Sequence, residues 1–239
     1  MTRKGFHLLK FHLLILIFCS CSTQLSVNTN QNKRSVEENI VDNSTVTELV
    51  RPYKDSMDKV MNAVIGYTDE DMISKRPSSN LMNWVADAIL SHQIRDKRLS
   101  EPVMVLLNTG GLRSSFGKGA ITLGDVYKLM PFDNQVVWAR LPRTALTEIT
   151  NYLIKSGGEP IANANLENGK ISLNSTPNEF THFWVITSDY LLNGGDKMDF
   201  FKGRVETNET GVLIRDILID AVKEQGKLKI DREIRIVLN

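Results

Sequence analysis

The run "VMVLL" (Val103–Leu107) most constrains the fold of this chain. Its length and unbroken apolarity mark a strand buried within a sheet. The composition can bury such a strand. With 41% hydrophobic and 24% charged residues over 239 positions, the chain supports one sizeable core. The strand empties into "NTGGLR" (Asn108–Arg113), where consecutive glycines let the backbone turn sharply and let a ligand approach the main chain. Arg113 can offer a forked guanidinium to phosphate or ribose oxygens, and Asn108 both a donor and an acceptor. The Lys-Ser/Thr ending of a Walker A loop is missing, and no G-x-G-x-x-G opens a helix. Alone, the unit fits a turn with a solvated arginine better than a binding loop.

Helical and strand-like segments surround this run without regular β-α-β alternation. Residues 45–64 read as a helix that passes into a strand at "AVIGYT". In "SNLMNWVADAILSHQI", Leu81, Trp84, Val85, Ala88, Ile89 and His92 fall at helical spacing, with Ser79 or Asn80 as the cap. "ITLGDVYKLM" reads as a short helix capped by Thr122, "QVVWARLP" as a strand stopped at Pro142, and "RTALTEITNYLIKSG" as a helix closed by Gly157. "NLENGKISLN" is hairpin-like. "THFWVITSDYLL" reads as a strand, "NETGVLIRDILIDAVKEQGK" as a helix ending near Gly226, and "EIRIVLN" as a final strand. The pattern predicts one mixed α/β (α+β) domain over residues 46–239.

The N-terminus reads differently. Arg3, Lys4 and Lys10 precede a short apolar stretch, "LLILIF", and then "FCSCST". This resembles a bacterial lipoprotein signal, residues 1–21, with Cys21 as the lipidated residue. An ordinary secretory signal is the alternative, and either one predicts export. Residues 22–45 are polar and rich in Asn, Ser and Thr, as a flexible tether would be. The expected location is the cell envelope, with the chain held to a membrane by lipid. A formal net charge of +1 gives no basic stripe for a nucleic-acid polymer. Both cysteines, Cys19 and Cys21, lie in the leader, so the domain has no disulfide framework.

Three more units carry candidate chemistry. "TSDYLLNGGDKMDFF" (Thr187–Phe201) repeats the strand–Gly-Gly design, now with Tyr190 and with Asp196, a good acceptor for paired hydroxyls. "KLMPFDNQVV" sets Phe132 at a loop edge after Pro131. "KRPSSNLMNWVADAI" puts Arg76 just before a helix N-terminus, where backbone N–H groups favour anions. Singly, each suits a turn, a core cap or a helix cap.

Together, in this order, the four units resemble the C-terminal domain of the 5'-nucleotidase family. That family shows "R-P-E-S-x-L-G-N-x-x-A-D-A", "N-x-G-G-I-R", "G-x-I-T-x-G-D-V-x-x-x-x-P-F" and "D-[FY]-L-A-N-G-G-D-x-F". This chain has "RPSSNLMNWVADA", "NTGGLR", "GAITLGDVYKLMPF" and "DYLLNGGDKMDFF". The resemblance covers roughly residues 50 to 239. It implies a layered α/β/β/α domain that grips a nucleotide or nucleoside. Phe132 and Tyr190 would sandwich the base, Asp196 would bind ribose hydroxyls, and Arg113 would reach the ribose and phosphate side. Asn108 would meet the base edge, Gly110 would permit close approach, and Arg76 would be a second arginine of the site. Ser78 and Met82 depart from the family's Glu and Gly, and Lys197 and Met198 replace part of the usual "NGGDGF".

Family nucleotidases hydrolyse phosphate esters with two divalent metals in a separate metallophosphatase domain, which needs signatures such as "D-x-H" and "G-N-H-[DE]". Of the four histidines, His7 and His12 fall in the leader, and His92 and His182 sit in no such motif. The sequence therefore predicts no metal, no cofactor and no catalytic residue in this chain. It predicts a separate metallophosphatase partner that would carry the metals. Two other readings stay open: a non-catalytic nucleoside- or nucleotide-binding lipoprotein, and a structural lipoprotein whose pocket is vestigial.

Overall fold

The computed structural model describes residues 44–95, 97–174 and 179–238. The expected signal segment, Cys21 and all but the end of the expected tether lie outside them. In chain order the elements are α1 (Ser44–Met61), β1 (Val64–Thr68), α2 (Asn80–Ile94), β2 (Val103–Leu106), β3 (Gly119–Thr122), α3 (Leu123–Leu129), β4 (Gln135–Pro142), α4 (Ala145–Ser156), β5 (Ile161–Ala162), β6 (Ala164–Glu167), β7 (Lys170–Leu173), β8 (His182–Ser188), α5 (Asp189–Leu192), β9 (Glu206–Leu213) and α6 (Ile214–Gln225). Helix α1 starts within the last residues of the expected tether. None of its residues is buried, and Leu49, Val50, Tyr53 and Met57 are all exposed.

Strand β2 lies in a five-stranded sheet of order β5-β2-β8-β4-β9. It runs parallel to β8 and antiparallel to β5, while β4 runs antiparallel to both β8 and β9. All of β2 is buried, as its apolar run predicts. Because side chains alternate across a strand, Val103, Val105 and Leu107 enter one core with α2, α3 and α6, and Met104 and Leu106 enter the other with α4 and the β6–β7 pair. Strand β4 divides likewise, with Val136 and Trp138 on one side and Val137, Ala139 and Leu141 on the other. The mixed α/β class is thus built around a sheet covered on both faces. The β1–β3 ladder packs into the first core and the β6–β7 ladder into the second.

Local signals set several boundaries. Thr122 caps α3 in a reciprocal capping box with Asp125. Gly157 closes α4 in the left-handed region, with φ 82°. Asn168 and Gly169 both have positive φ, as a type I′ turn requires, so "NLENGKISLN" is the hairpin its sequence predicts.

Three expectations fail. Within "THFWVITSDYLL", expected as one strand, β8 ends at Ser188 and Asp189–Leu192 form the short helix α5, capped by the Ser188 hydroxyl. The segment expected to be one helix from Asn208 is strand β9 up to Leu213, because pairing with β4 captures its β-branched residues, and α6 begins only at Ile214. The expected final strand "EIRIVLN" makes only an isolated bridge, Leu166 to Ile236. Arg235 adds a second anchor. Its side chain, 6% exposed, turns inward and donates to both carboxylate oxygens of Asp87 (2.8 and 2.6 Å), to Asp231 (2.5 Å) and to the Ile161 carbonyl (2.8 Å). The segment is held by this buried charge together with two backbone bonds to β6, from Leu166 N–H to the Arg235 carbonyl and from Val237 N–H to the Leu166 carbonyl (both 2.8 Å).

Burial alone would raise the Asp231 carboxyl, but the Glu233 N–H and Arg235 outweigh it and hold it below the usual aspartate range. A group depressed in the folded state contributes stability above its unfolded value and loses that contribution as pH falls through the folded one. Stability should therefore decline as pH drops below about 4, and Asp231→Asn should flatten that decline in urea midpoints measured against pH. Arg235→Ala empties a buried position and leaves the partly exposed Asp87 and Asp231 without their cation, and should cost about 1–3 kcal/mol in urea unfolding at neutral pH.

Candidate functional site

The sheet topology brings three loops to one edge. Because β2 and β8 are parallel neighbours, the Gly-Gly loops that follow them emerge side by side. Strand β4 is antiparallel to β8, with Val136 opposite Ser188, so it starts at that same edge and the Phe132 loop enters there. Ligands of open α/β sheets commonly bind beyond the carboxyl ends of strands.

Each loop is fixed by bonds beneath it. Thr109–Gly111 form a single 3-10 turn, with Gly111 N–H donating to the Asn108 carbonyl (3.1 Å). After β8, the Ser188 hydroxyl caps the short α5 by accepting from Leu191 N–H (3.2 Å). Asp189 accepts from the N–H groups of Tyr190 (2.8 Å) and Gln135 (3.2 Å), tying the Tyr190 turn to the start of β4. Arg215, buried in α6, donates to the carbonyls of Met130 (3.3 Å) and Phe132 (3.5 Å) and pairs with Asp133, which holds the Phe132 loop from below.

Between the loops lies a cavity of about 350 Å³ lined by Asn108, Gly110, Gly111, Arg113, Phe132, Asn134, Tyr190 and Asp196. Every sequence-predicted site residue except Arg76 and Cys21 is in that set, and Cys21 lies outside the described residues. Phe132 is 43% and Tyr190 47% exposed, so both rings offer free faces suited to stacking on a flat ligand. A groove of about 450 Å³ between α2 and α6 is larger. Two pairs of its side chains are bonded to each other, Arg95 with Glu224 and Trp84 with Gln225, and it holds none of the four motifs' loop residues.

Asp196 is the hub of the cavity. The Asn108 side-chain amide donates to its Oδ2 (2.6 Å), and the Tyr190 hydroxyl donates to its Oδ1 (2.9 Å). Asn108, expected at a base edge, therefore has its amide N–H directed at Asp196. Two glycines make this possible. A Cβ at Gly111 would lie 2.9 Å from Asn108 Oδ1, and a Cβ at Gly195 would lie 2.4 Å from the Tyr190 ring. Within the first loop the tightest packing is Gly111 against Asn108, while Gly110 lines the cavity.

Arg76 has a different place from the one expected. Its Nε donates to the Gly158 carbonyl (2.8 Å), and its terminal nitrogen pairs with Glu159. Glu159 is 2% exposed and also accepts from the Thr109 N–H (2.6 Å) and hydroxyl (2.7 Å). Arg76 thus reaches the first Gly-Gly loop through a buried carboxylate, and it does not line the cavity. Pro77 and Gly158 pack so closely that a Cβ at Gly158 would sit 2.3 Å from the Pro77 carbonyl. Arg113, by contrast, is exposed, with one long bond to the Gly110 carbonyl (3.4 Å).

Sequence reasoning missed Glu159, Asn134, Arg215 and Tyr152. Only Asn134 had an available signal, two positions after Phe132. Tyr152 donates to the Asp196 carbonyl (3.3 Å). Burial, with the nearby Glu159 and Asp196 carboxylates, pushes its hydroxyl up to about 12, so it stays a donor at neutral pH. Among the described residues no group of three or more His, Cys, Asp and Glu side chains is arranged to hold a metal ion. Among the described residues, the side chains present do not fit a dinuclear metal centre.

The two arginines should respond differently to truncation. Arg76→Ala leaves Glu159 buried without its cation and should cost about 1–3 kcal/mol in urea unfolding. Arg113→Ala should stay within about 0.5 kcal/mol.

Comparison with known proteins agrees with this architecture. The family model described as "5'-nucleotidase, C-terminal domain" matches residues 64–148. The chain is 25% identical over 234 residues to the trifunctional nucleotide phosphoesterase protein YfkN of Bacillus subtilis (strain 168), covering 84% of this chain and 16% of that protein. It is 21% identical to a 5'-nucleotidase of Vibrio vulnificus (strain CMCP6), covering 91% of this chain and 41% of that one. The structure superposes on a 5'-nucleotidase precursor from Thermus thermophilus with a TM-score of 0.66 at 22% identity, over 82% of this chain and 43% of that one. For the NAD nucleotidase (NadN) of Haemophilus influenzae the TM-score is 0.60 at 15% identity, over 82% and 41%. The chain spans less than half the length of these relatives. Its fold is the one that the matching parts of these solved nucleotidases share.

Proposed function

We propose that this chain is the nucleotide-binding half of a split 5'-nucleotidase. It acts outside the cytoplasm and is held to the cell envelope by lipid on Cys21. A separate metallophosphatase carries the divalent metals and hydrolyses the phosphate ester. The observation that carries this reading is the convergence of Phe132, Tyr190, Asp196 and Arg113 on one cavity. The two rings stack on the base, which is worth about 1–3 kcal/mol per base and tolerates any base identity. Asp196 accepts from the ribose hydroxyls, and Arg113, exposed at the rim, meets the phosphate as a charge-assisted donor. Arg76 acts through Glu159 on the loop that bears Asn108 and Gly111. No helix among the described residues is long and apolar enough to cross a membrane.

Two measurements test the proposal. Phe132→Ala and Tyr190→Ala should each weaken nucleoside binding about tenfold or more in calorimetric titration. Phosphate release from a nucleoside monophosphate should be absent with this protein alone in metal-stripped buffer. It should appear with metal and a metallophosphatase co-purified from detergent extract. Release by the chain alone without metal contradicts the proposal. Nucleoside binding without release in the presence of that metallophosphatase leaves a binding lipoprotein.

A further inference from the structure

The loop that bears Asp196 is held in an unusual conformation. Asp196 and Lys197 both have positive φ, 51° and 63°, directly after Gly194 at 91° and Gly195. Non-glycine residues in this region cost of order 1 kcal/mol each and persist only where surrounding contacts over-determine them. The contacts are present. Tyr152 fixes the Asp196 carbonyl, and Asn108 and Tyr190 each fix one carboxylate oxygen. The Tyr190 hydroxyl is not required for stacking, since a phenylalanine ring would stack as well. It is also nearly half exposed, so burial does not force it to find a partner.

The consequence lies in the lone pairs that remain. A carboxylate offers about two acceptor directions per oxygen. With one protein donor already on each oxygen, each keeps one acceptor direction for a ligand in the cavity that Asp196 lines. The carboxylate cannot rotate to favour one new donor without breaking a bond it already has. The group is therefore preset for two donors delivered together, as the cis-diol of a ribose delivers them. A sugar with a single hydroxyl leaves one oxygen unmatched.

Resting on the nucleoside reading of this cavity, we propose that the Tyr190 hydroxyl, acting with the Asn108 amide on Asp196, makes the site select ribonucleosides over 2'-deoxynucleosides. Tyr190 is then a positioning residue for the sugar as well as a platform for the base. Without its hydroxyl, Asp196 is held at one oxygen only and turns to satisfy a lone 3'-hydroxyl.

The test is calorimetric titration of the full-length protein in detergent with adenosine, guanosine, cytidine and uridine, each against its 2'-deoxy counterpart. The unaltered protein should bind the ribonucleoside about tenfold more tightly or better, as expected for a hydrogen bond to a charged group. In Tyr190→Phe that ratio should fall to about threefold or less. Asp196→Ala should remove the preference. An unchanged ratio in Tyr190→Phe, or no preference in the unaltered protein, overturns the inference while leaving the nucleoside site intact. No binding of any nucleoside overturns both.

Discussion

The buried carboxylate of Glu159 is the interaction on which the candidate site depends. It lies between α4 and β5, and it accepts from the Thr109 N–H and hydroxyl and from Arg76. An ionised group at 2% exposure is costly unless it is paired and fully hydrogen-bonded, and here its partners come from distant parts of the chain. The α2 entry, the first Gly-Gly loop and the end of α4 must all be in place before the charge is satisfied. The loop that carries Asn108 and Gly111 is therefore set by the fold before any ligand arrives, and binding need not meet the cost of ordering it.

From that fixed loop the order passes to the second one. Asn108 reaches Asp196 only because Gly111 leaves room for its amide, and Tyr190 reaches the same carboxylate only because Gly195 lets the backbone lie against its ring. The parallel pairing of β2 and β8 brings the loops together, and the antiparallel β4 adds Phe132. A flat ring system with a sugar and a charged tail fits such a wall in parts: rings for rings, a carboxylate for hydroxyls, and an exposed arginine for phosphate. This correspondence underlies the nucleotide reading.

Much of this was legible in the sequence because its signals are local. The apolar run at Val103–Leu107, the capping box at Thr122, the closing Gly157 and the Asn168-Gly169 turn each specify their own conformation, and the structure has all of them. The Gly-Gly pairs, Phe132 and Asp196 were readable as motifs. What escaped depends on partners far away in the chain. Nothing near Glu159 announces that Thr109 and Arg76 will meet it, so Arg76 was assigned to the ligand and not to the carboxylate. Arg235 reads as one residue of an apolar strand until Asp87 and Asp231 are in place to draw it inward. Residues 208–213 adjoin the helical periodicity of α6 and read as part of it, and only pairing with the distant β4 makes them a strand.

The central claim is that the cavity between the two Gly-Gly loops receives a nucleoside. The most direct measurement is a crystal structure of the protein soaked with adenosine 5'-monophosphate. The account predicts the base between Phe132 and Tyr190, the ribose hydroxyls on Asp196 and the phosphate toward Arg113. A nucleotide seated in the groove between α2 and α6, or a cavity left empty at saturating ligand, would contradict it.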